Sequence, residues 1–427
     1  MARDSLYPVS VKAGKPILGM LPTGWQKLSL EKCLNIEARK AYIQDNQEYD
    51  LVTVKRSRGG VIRREHLKGK DISVKSQFYI KEGDFLISKR QIVHGACGLV
   101  PKELSGSIVS NEYCVLTGKS GFYLPYMEFL SESLYFQQTC FHSSIGVHIE
   151  KMIFKLDSWF KWPFNIPPLS EQKRIVKILS TWDKAISVTE KLLANSQQQK
   201  KALMQQLVTG KKRLLDENGV RFSGEWKRVK LGAIADINSG GTPKSTVEEY
   251  YGGNIPWVSI SDMTSNGKWI ATTEKYLTEL GLNSSSARIY PKNSVLYAMY
   301  ASIGECSIAA VNLTSSQAIL GIRPKDCLNY EFLYFYLTSL KEKIKLQGQQ
   351  GQQGTQSNLN AGMVKEFELD LPSIREQQKI AAVLSAADAE ISTLEKKLAC
   401  LRDEKKALMQ QLLTGKRRVK VDEAVAE

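Results

Sequence analysis

Two stretches of the chain place apolar side chains at steps of four and three, the spacing of a helix that packs along one seam. In the later stretch the seam runs Ile380, Leu384, Ala387, Ile391, Leu394, Leu398, Leu401, Lys405, Leu408 and Leu412. The earlier one is less regular: Ile175, Leu179, Trp182 and Ile186, then Thr189, Leu193, Ser196, Lys200, Leu203 and Leu207. Pro167 and Pro372 disfavour helix before them, and Glu171 and Glu376 set a carboxylate against the positive end of each helix dipole. Thr209-Gly210 and Thr414-Gly415 end the patterns, each followed by a basic cluster. About 40 residues at about 1.5 Å each predict helices of roughly 60 Å. Elsewhere the apolar runs are short and strand-like, as at residues 50–54, 85–88 and 256–260.

The two helical stretches are copies. Residues 166–214 align with residues 371–419 without a gap, and 25 of the 49 positions are identical. Fainter matches continue outside them. Trp25 and Leu30 correspond to Trp226 and Leu231, and residues 50–54 resemble residues 256–260. Residues 85–100 resemble residues 294–309 when aligned without a gap, which sets Tyr297 opposite Ser88 and Tyr300 opposite Gln91. The chain therefore reads as globular unit, helix, globular unit, helix. Equal lengths and an ungapped duplication suit antiparallel pairing of the helices within the chain, the alternative being that both pack as long arms against other chains. Lys200 and Lys405 share one repeat position, where a lysine either snorkels out or fixes register.

Composition narrows the class. With 427 residues, 42% hydrophobic and 24% charged, at least two globular domains are expected. The apolar runs fall far below a membrane span and the N-terminus does not resemble a signal peptide, so a cytoplasmic protein with no membrane partner is expected. The seven cysteines form no CxxC pair and read as scattered thiols. Lys and Arg outnumber Asp and Glu by 59 to 44, an excess of +15 that favours a polyanionic partner.

Catalytic signatures do not emerge. Gly118-Lys119-Ser120 lacks the upstream glycine of a phosphate loop, since position 113 is Tyr113. Pro167-Pro168 is followed by Leu169, not by the aromatic residue of an amino-methyltransferase motif. His66, His94, His142 and His148 show no metal spacing. A non-catalytic chain without catalytic, cofactor or metal residues is the expectation.

Candidate nucleic-acid contacts come from charge and from turns. Residues 55–70 hold Lys55, Arg56, Arg58, Arg63, Arg64, Lys68 and Lys70 around Gly59-Gly60, with Glu65 the one acid. Arginine reads guanine edges bidentately, while lysine mostly holds phosphate. Lys89, Arg90 and Gln91 follow a strand-like run, where binding groups commonly sit. In the second unit the candidates are Thr242 and Lys244 in a Gly-Gly-Thr-Pro-Lys turn, Ser259 and Asp262 at a strand end, and Tyr297 and Tyr300, which serve either packing or contact. The polar stretch 347–358 is a linker or an adenine-contacting segment.

The segments PLSEQKRIV and PSIREQQKI, each leading into a helix ending KALMQQLxTGKxR, together with GGTPKS…YYGGNIPWVSISDM from Gly240, resemble the specificity subunits of type I restriction–modification systems. The resemblance implies an α+β chain. Two mixed target recognition domains (21–165 and 215–370) would alternate with two spacer helices (166–214 and 371–419), between an extension at 1–20 and a tail at 420–427. The helices would pair as an antiparallel coiled coil with pseudo-two-fold symmetry. It implies an asymmetric bipartite site in double-stranded DNA, two methyltransferase subunits docked on the helices, and two restriction subunits. S-adenosylmethionine, ATP and Mg would be bound by those partners and not by this chain. The first unit departs from the pattern by lacking the Gly-Gly-Thr-Pro stretch. The alternative is a solitary DNA-binding scaffold of the same architecture.

Overall fold

The computed structural model describes residues 14–300, 302–348 and 359–420. All but the first two residues of the polar stretch 347–358 thus lie outside the described residues, as do residues 1–13 and 421–427. The chain divides into two compact units, residues 1–189 with 397–427, and residues 190–396. Both long helices form as the seam predicts, at Leu169–Leu207 and Ile374–Leu413. Each contributes one end to each unit. No helix among the described residues is long and apolar enough to cross a membrane.

In the first unit, the start of the first long helix lies beside the end of the second. Arg418 makes a bidentate pair with Glu171 at 2.8 Å, and Lys405 reaches Asp183 at 2.7 Å. As one helix advances the other retreats, so the pairing is antiparallel. The second unit repeats this with the helices' roles exchanged. Arg213 grips Glu376 at 2.6 and 2.8 Å, and Lys200 pairs with Asp388. Each lysine is mostly buried and fixes register rather than snorkelling out.

Each helix start is built the same way. Glu171 and Glu376 are only 3% and 1% exposed, and each accepts a hydrogen bond from a tryptophan, Trp25 Nε1 at 2.9 Å or Trp226 Nε1 at 3.1 Å. The next residue is a fully buried glutamine. Gln172 accepts from Tyr123 N and donates to the carbonyls of Gly121 and Pro167. Gln377 accepts from Asn329 N and donates to those of Cys327 and Pro372. Both buried glutamates and both buried glutamines are thus fully partnered, which is what keeps such burial from being destabilising. At the opposite ends, Gly210 and Gly415 take φ of +68° and +67°. A Cβ at Gly415 would stand 2.3 Å from Pro22 Cγ, so only glycine closes this turn against Pro22.

The globular part of the first unit holds two larger sheets and two two-stranded ones, Gln26–Ser29 with Pro163–Ile166 and Ser144–Ile145 with Ile153–Phe154. Four antiparallel strands run in the order Leu34–Glu37, Tyr113–Gly118, Phe85–Ser88, Cys97–Leu99. Five more run Lys40–Ala41, Gln77–Tyr79, Ile108–Ser110, Glu48–Val54, Val61–Lys68. The second unit repeats the four-stranded order as Ala235–Ser239, Ile319–Pro324, Val295–Ala298, Cys306–Ala309, and adds Trp269–Ile270 in parallel at the end. A three-stranded sheet has Lys275–Leu277, Tyr251–Val258 and Thr314–Ser315, and Lys227–Lys230 pairs with Glu368–Leu371. In both units one parallel pairing joins equivalent strands, Leu51 facing Ile108 and Trp257 facing Thr314. The match of residues 50–54 with 256–260 is therefore structural.

The ungapped match of residues 85–100 with 294–309 slips by one. Ile87 faces Cys97, and Tyr297 faces Cys306, so Tyr297 is the counterpart of Ile87 and not of Ser88. In a strand a one-residue shift exchanges the faces. Tyr297 accordingly lies at 0% exposure in the apolar core with Leu207, Phe332 and Ile380.

Removing the Glu376 carboxylate leaves Arg213, itself only about one-fifth exposed, without its counter-charge. Glu376→Ala should destabilise the fold by about 3 kcal/mol or more, read as a lower urea midpoint. Glu171→Ala should cost less, because Arg418 is 43% exposed and water screens its charge.

Candidate nucleic-acid interface

The basic run 55–70 forms a hairpin between Glu48–Val54 and Val61–Lys68. Its tip does not turn at Gly59. Ser57 and Arg58 both adopt left-handed backbone, φ +55° and +56°, an unfavourable conformation for residues with a Cβ. The tip is held there because Ser57 N donates to His94 O at 2.7 Å and Arg58 N to Gly95 O at 2.8 Å. The hairpin is thus docked on the turn that follows Lys89, Arg90 and Gln91. Two groups of candidates that are separate in sequence become neighbours.

Four of these cations already hold an acid. Arg56 pairs with Glu150 at 2.6 Å, Arg63 with Asp50 at 3.0 Å, Arg64 with Glu65 at 3.3 Å, and Arg90 with Glu112 at 2.6 Å. Lys89 Nζ donates to Asn111 O at 2.6 Å. A bulge opposite Leu51 and Val52 sets Arg63 and Arg64 side by side on the edge strand. Lys55, Arg58, Lys68 and Lys70 are exposed and have no ion pair among the described residues. They are the cations best placed to meet a phosphate. Gln91 is half-buried and caps the turn with its backbone.

Histidine electrostatics split on this surface. His66 lies between two carboxylates, Nδ1 2.7 Å from Asp50 and Nε2 3.2 Å from Glu48, and these hydrogen bonds raise its pKa above the ordinary 6.5. His94, beneath the hairpin tip, is pushed below that value by burial.

The second unit separates its candidates into surface and interior. Thr242 and Lys244 are exposed on a turn pinned by Gly241 N donating to Ser315 O and by Trp257 Nε1 donating to Gly241 O. Tyr300 is 38% exposed. Ser259 and Asp262 form instead a capping box on the helix Ile260–Asn266. The Asp262 carboxylate, in a residue 7% exposed, accepts from Ser259 N, Ser259 Oγ and Glu274 N. Asp262 and Tyr297 are therefore corrected from contact residues to structural ones, the first consumed by a helix cap and the second by the core.

Sequence reasoning passed over Asn111 and Gln317. Gln317 N donates to Thr242 Oγ1 at 3.3 Å, which joins the Gly-Gly-Thr-Pro turn to a second exposed turn. Neither residue carries charge or a motif, so only the repeat, aligned through the strands, would have found them.

A family model described as "Type I restriction modification DNA specificity domain" matches this chain twice, over residues 22–195 and 223–401. The chain belongs to that family. Each matched segment takes in one globular part and most of one long helix. Among the relatives of this specificity-domain family, the MjaIX specificity subunit of Methanocaldococcus jannaschii is 36% identical over 173 residues, 40% of either chain. The MjaVIII specificity subunit of the same organism is 30% identical over 314 residues, 70% of either chain. This chain thus spans from under half to about two thirds of those relatives. A solved HsdS subunit from Thermoanaerobacter tengcongensis shares the fold, with TM-score 0.53 at 20% identity, over 93% of this chain and 99% of that one.

Tyr297 Oη is buried with no hydrogen-bond partner among the described residues. Tyr297→Phe should therefore leave DNA affinity intact and should not lower the unfolding temperature. In an NMR titration, His66 should titrate above 6.5 and return towards it in Asp50→Asn. The sign follows from the raised folded pKa. The contact's contribution is present while His66 is protonated and is lost as pH rises through the folded value.

Proposed function

We propose that this chain is the DNA-reading subunit of a type I restriction–modification complex. Each unit would read one half of an asymmetric bipartite site in double-stranded DNA. The observation that carries this reading is the division between what the duplication kept and what it let diverge. The helix starts, the helix ends and the four-stranded order recur in both units. The exposed loops differ, with a docked basic hairpin in one and a Gly-Gly-Thr-Pro turn beside Gln317 in the other. A shared frame with different loops suits two different half-sequences.

The long helices would set the unread gap, about 5–9 base pairs for helices of roughly 60 Å against a DNA turn of about 34 Å. Their repeated surfaces would dock two methyltransferase subunits equivalently, with two restriction subunits joining that core. Methylation and ATP-dependent cleavage would then reside in the partners, which would bring S-adenosylmethionine, ATP and Mg. This chain's share is recognition. Arg58 and Lys68 would hold phosphate and position the hairpin, while the loop side chains choose bases.

The full-length chain should select a bipartite motif with a fixed gap from a pool of randomised DNA duplexes. Exchanging residues 215–370 for another such domain should alter one half alone, and adding one helical turn to both helices should lengthen the gap. Absence of any motif would overturn the reading. Arg58→Ala should weaken binding evenly across sequences and flatten the slope of log affinity against log salt by about one.

A further inference from the structure

The turn that carries Gln317 has an exact counterpart in the other unit. In both, a short strand paired in parallel leads through a turn into an inner strand of the four-stranded order. The registers agree throughout. Ile108 and Thr314 are equivalent through the parallel pairing, and Cys114 and Leu320 through their partners Ile87 and Tyr297. Counting between those points without a gap sets Asn111 on Gln317.

These units differ in most exposed loops, yet each presents a carboxamide here. Both turns are tied by the same backbone bond to the end of the neighbouring inner strand in that order. Lys89 N donates to Glu112 O at 2.9 Å, and Met299 N donates to Ala318 O at 2.9 Å. The second turn gains further ties from Ser316 N to Val258 O and from Gln317 N to Thr242 Oγ1. The first gains ties from Lys89 Nζ to Asn111 O and from Arg90 Nε to the Glu112 carboxylate. Asn111 and Gln317 are nonetheless exposed, and neither carboxamide has a hydrogen-bond partner among the described residues. A donor and an acceptor are thus held out to solvent from a turn whose backbone is fixed. This is the preorganisation that edge reading needs.

We propose that Asn111 and Gln317 are matched base-reading residues, each pairing bidentately with an adenine edge in its own half of the DNA site. A carboxamide donates to adenine N7 and accepts from N6, a pattern that no other base presents in the major groove. The proposal rests on the reading that the chain recognises DNA through both units. Equivalent turns would place the two contacts at corresponding points of the two halves.

The test is selection by the full-length chain and its variants from randomised duplexes. Gln317→Ala should relax an adenine at one position of one half, with a loss of about 10- to 100-fold against the preferred site. Asn111→Ala should do the same in the other half alone. Gln317→Glu removes the amide donor and leaves an acceptor, so preference at that position should move from adenine to cytosine, whose N4 donates. Unfolding temperatures report whether each variant is folded, and exposed turn positions should leave them unchanged. Unchanged base preferences, or an even loss over all sequences, would overturn the proposal while the bipartite motif of the unaltered chain stands. A wild-type chain that selects no motif would remove both the proposal and the reading beneath it.

Discussion

A carboxylate withdrawn from water at the first turn of each long helix sets the conditions for the rest of the fold. Glu171 and Glu376 are nearly inaccessible, and a buried anion is tolerated only when paired and hydrogen-bonded. The partners come from far away in sequence. A tryptophan just before the strand that opens each globular part supplies an N–H, and an arginine supplies a fork from just past the end of the opposite helix. One residue therefore joins a helix start, a strand and the other helix's end. The requirement selects antiparallel pairing, since a parallel arrangement would leave the arginine a helix length away.

The lysines inside the seam reinforce that choice. Lys405 meets Asp183 over the ring of Phe129, and Lys200 meets Asp388 near the ring of Phe335. A sliding helix would strand a cation against aromatic surface without its acid. Register and direction are thus held by charged pairs, while Ile175, Leu179, Ile380 and Leu384 contribute apolar burial that many registers would satisfy. On so specified a frame the loops are free to differ, which lets one duplicated scaffold present two different surfaces.

The basic surface of the first unit shows how net charge overstates what is available to a polyanion. Several arginines of the hairpin and its neighbouring turn face an acid, and each such pair must be opened or shared before it contacts phosphate. Charge counted along the sequence could not reveal this, because Glu150 lies 94 residues from Arg56. Separation in sequence likewise hid the docking of the hairpin tip on residues 94 and 95.

The helices, their lengths, their caps and the duplication were legible from the sequence, because helix periodicity and terminal signals are local. The recurrence of Glu, Gln and the closing Thr-Gly was visible too, though not that each Glu meets a tryptophan and an arginine. The strand register was not legible. A strand's period of two makes a one-residue slip invisible to similarity, and only the pairings of Tyr297 with Cys306 and of Ile87 with Cys97 place that tyrosine in the core. Asp262 and Ser259 likewise look like free polar groups until their neighbours are folded around them as a helix cap. What the sequence determined by itself was the repeated frame. Tertiary structure decided which polar side chains remain for a partner, because partners for hydrogen bonds and charges are chosen across space and not along the chain.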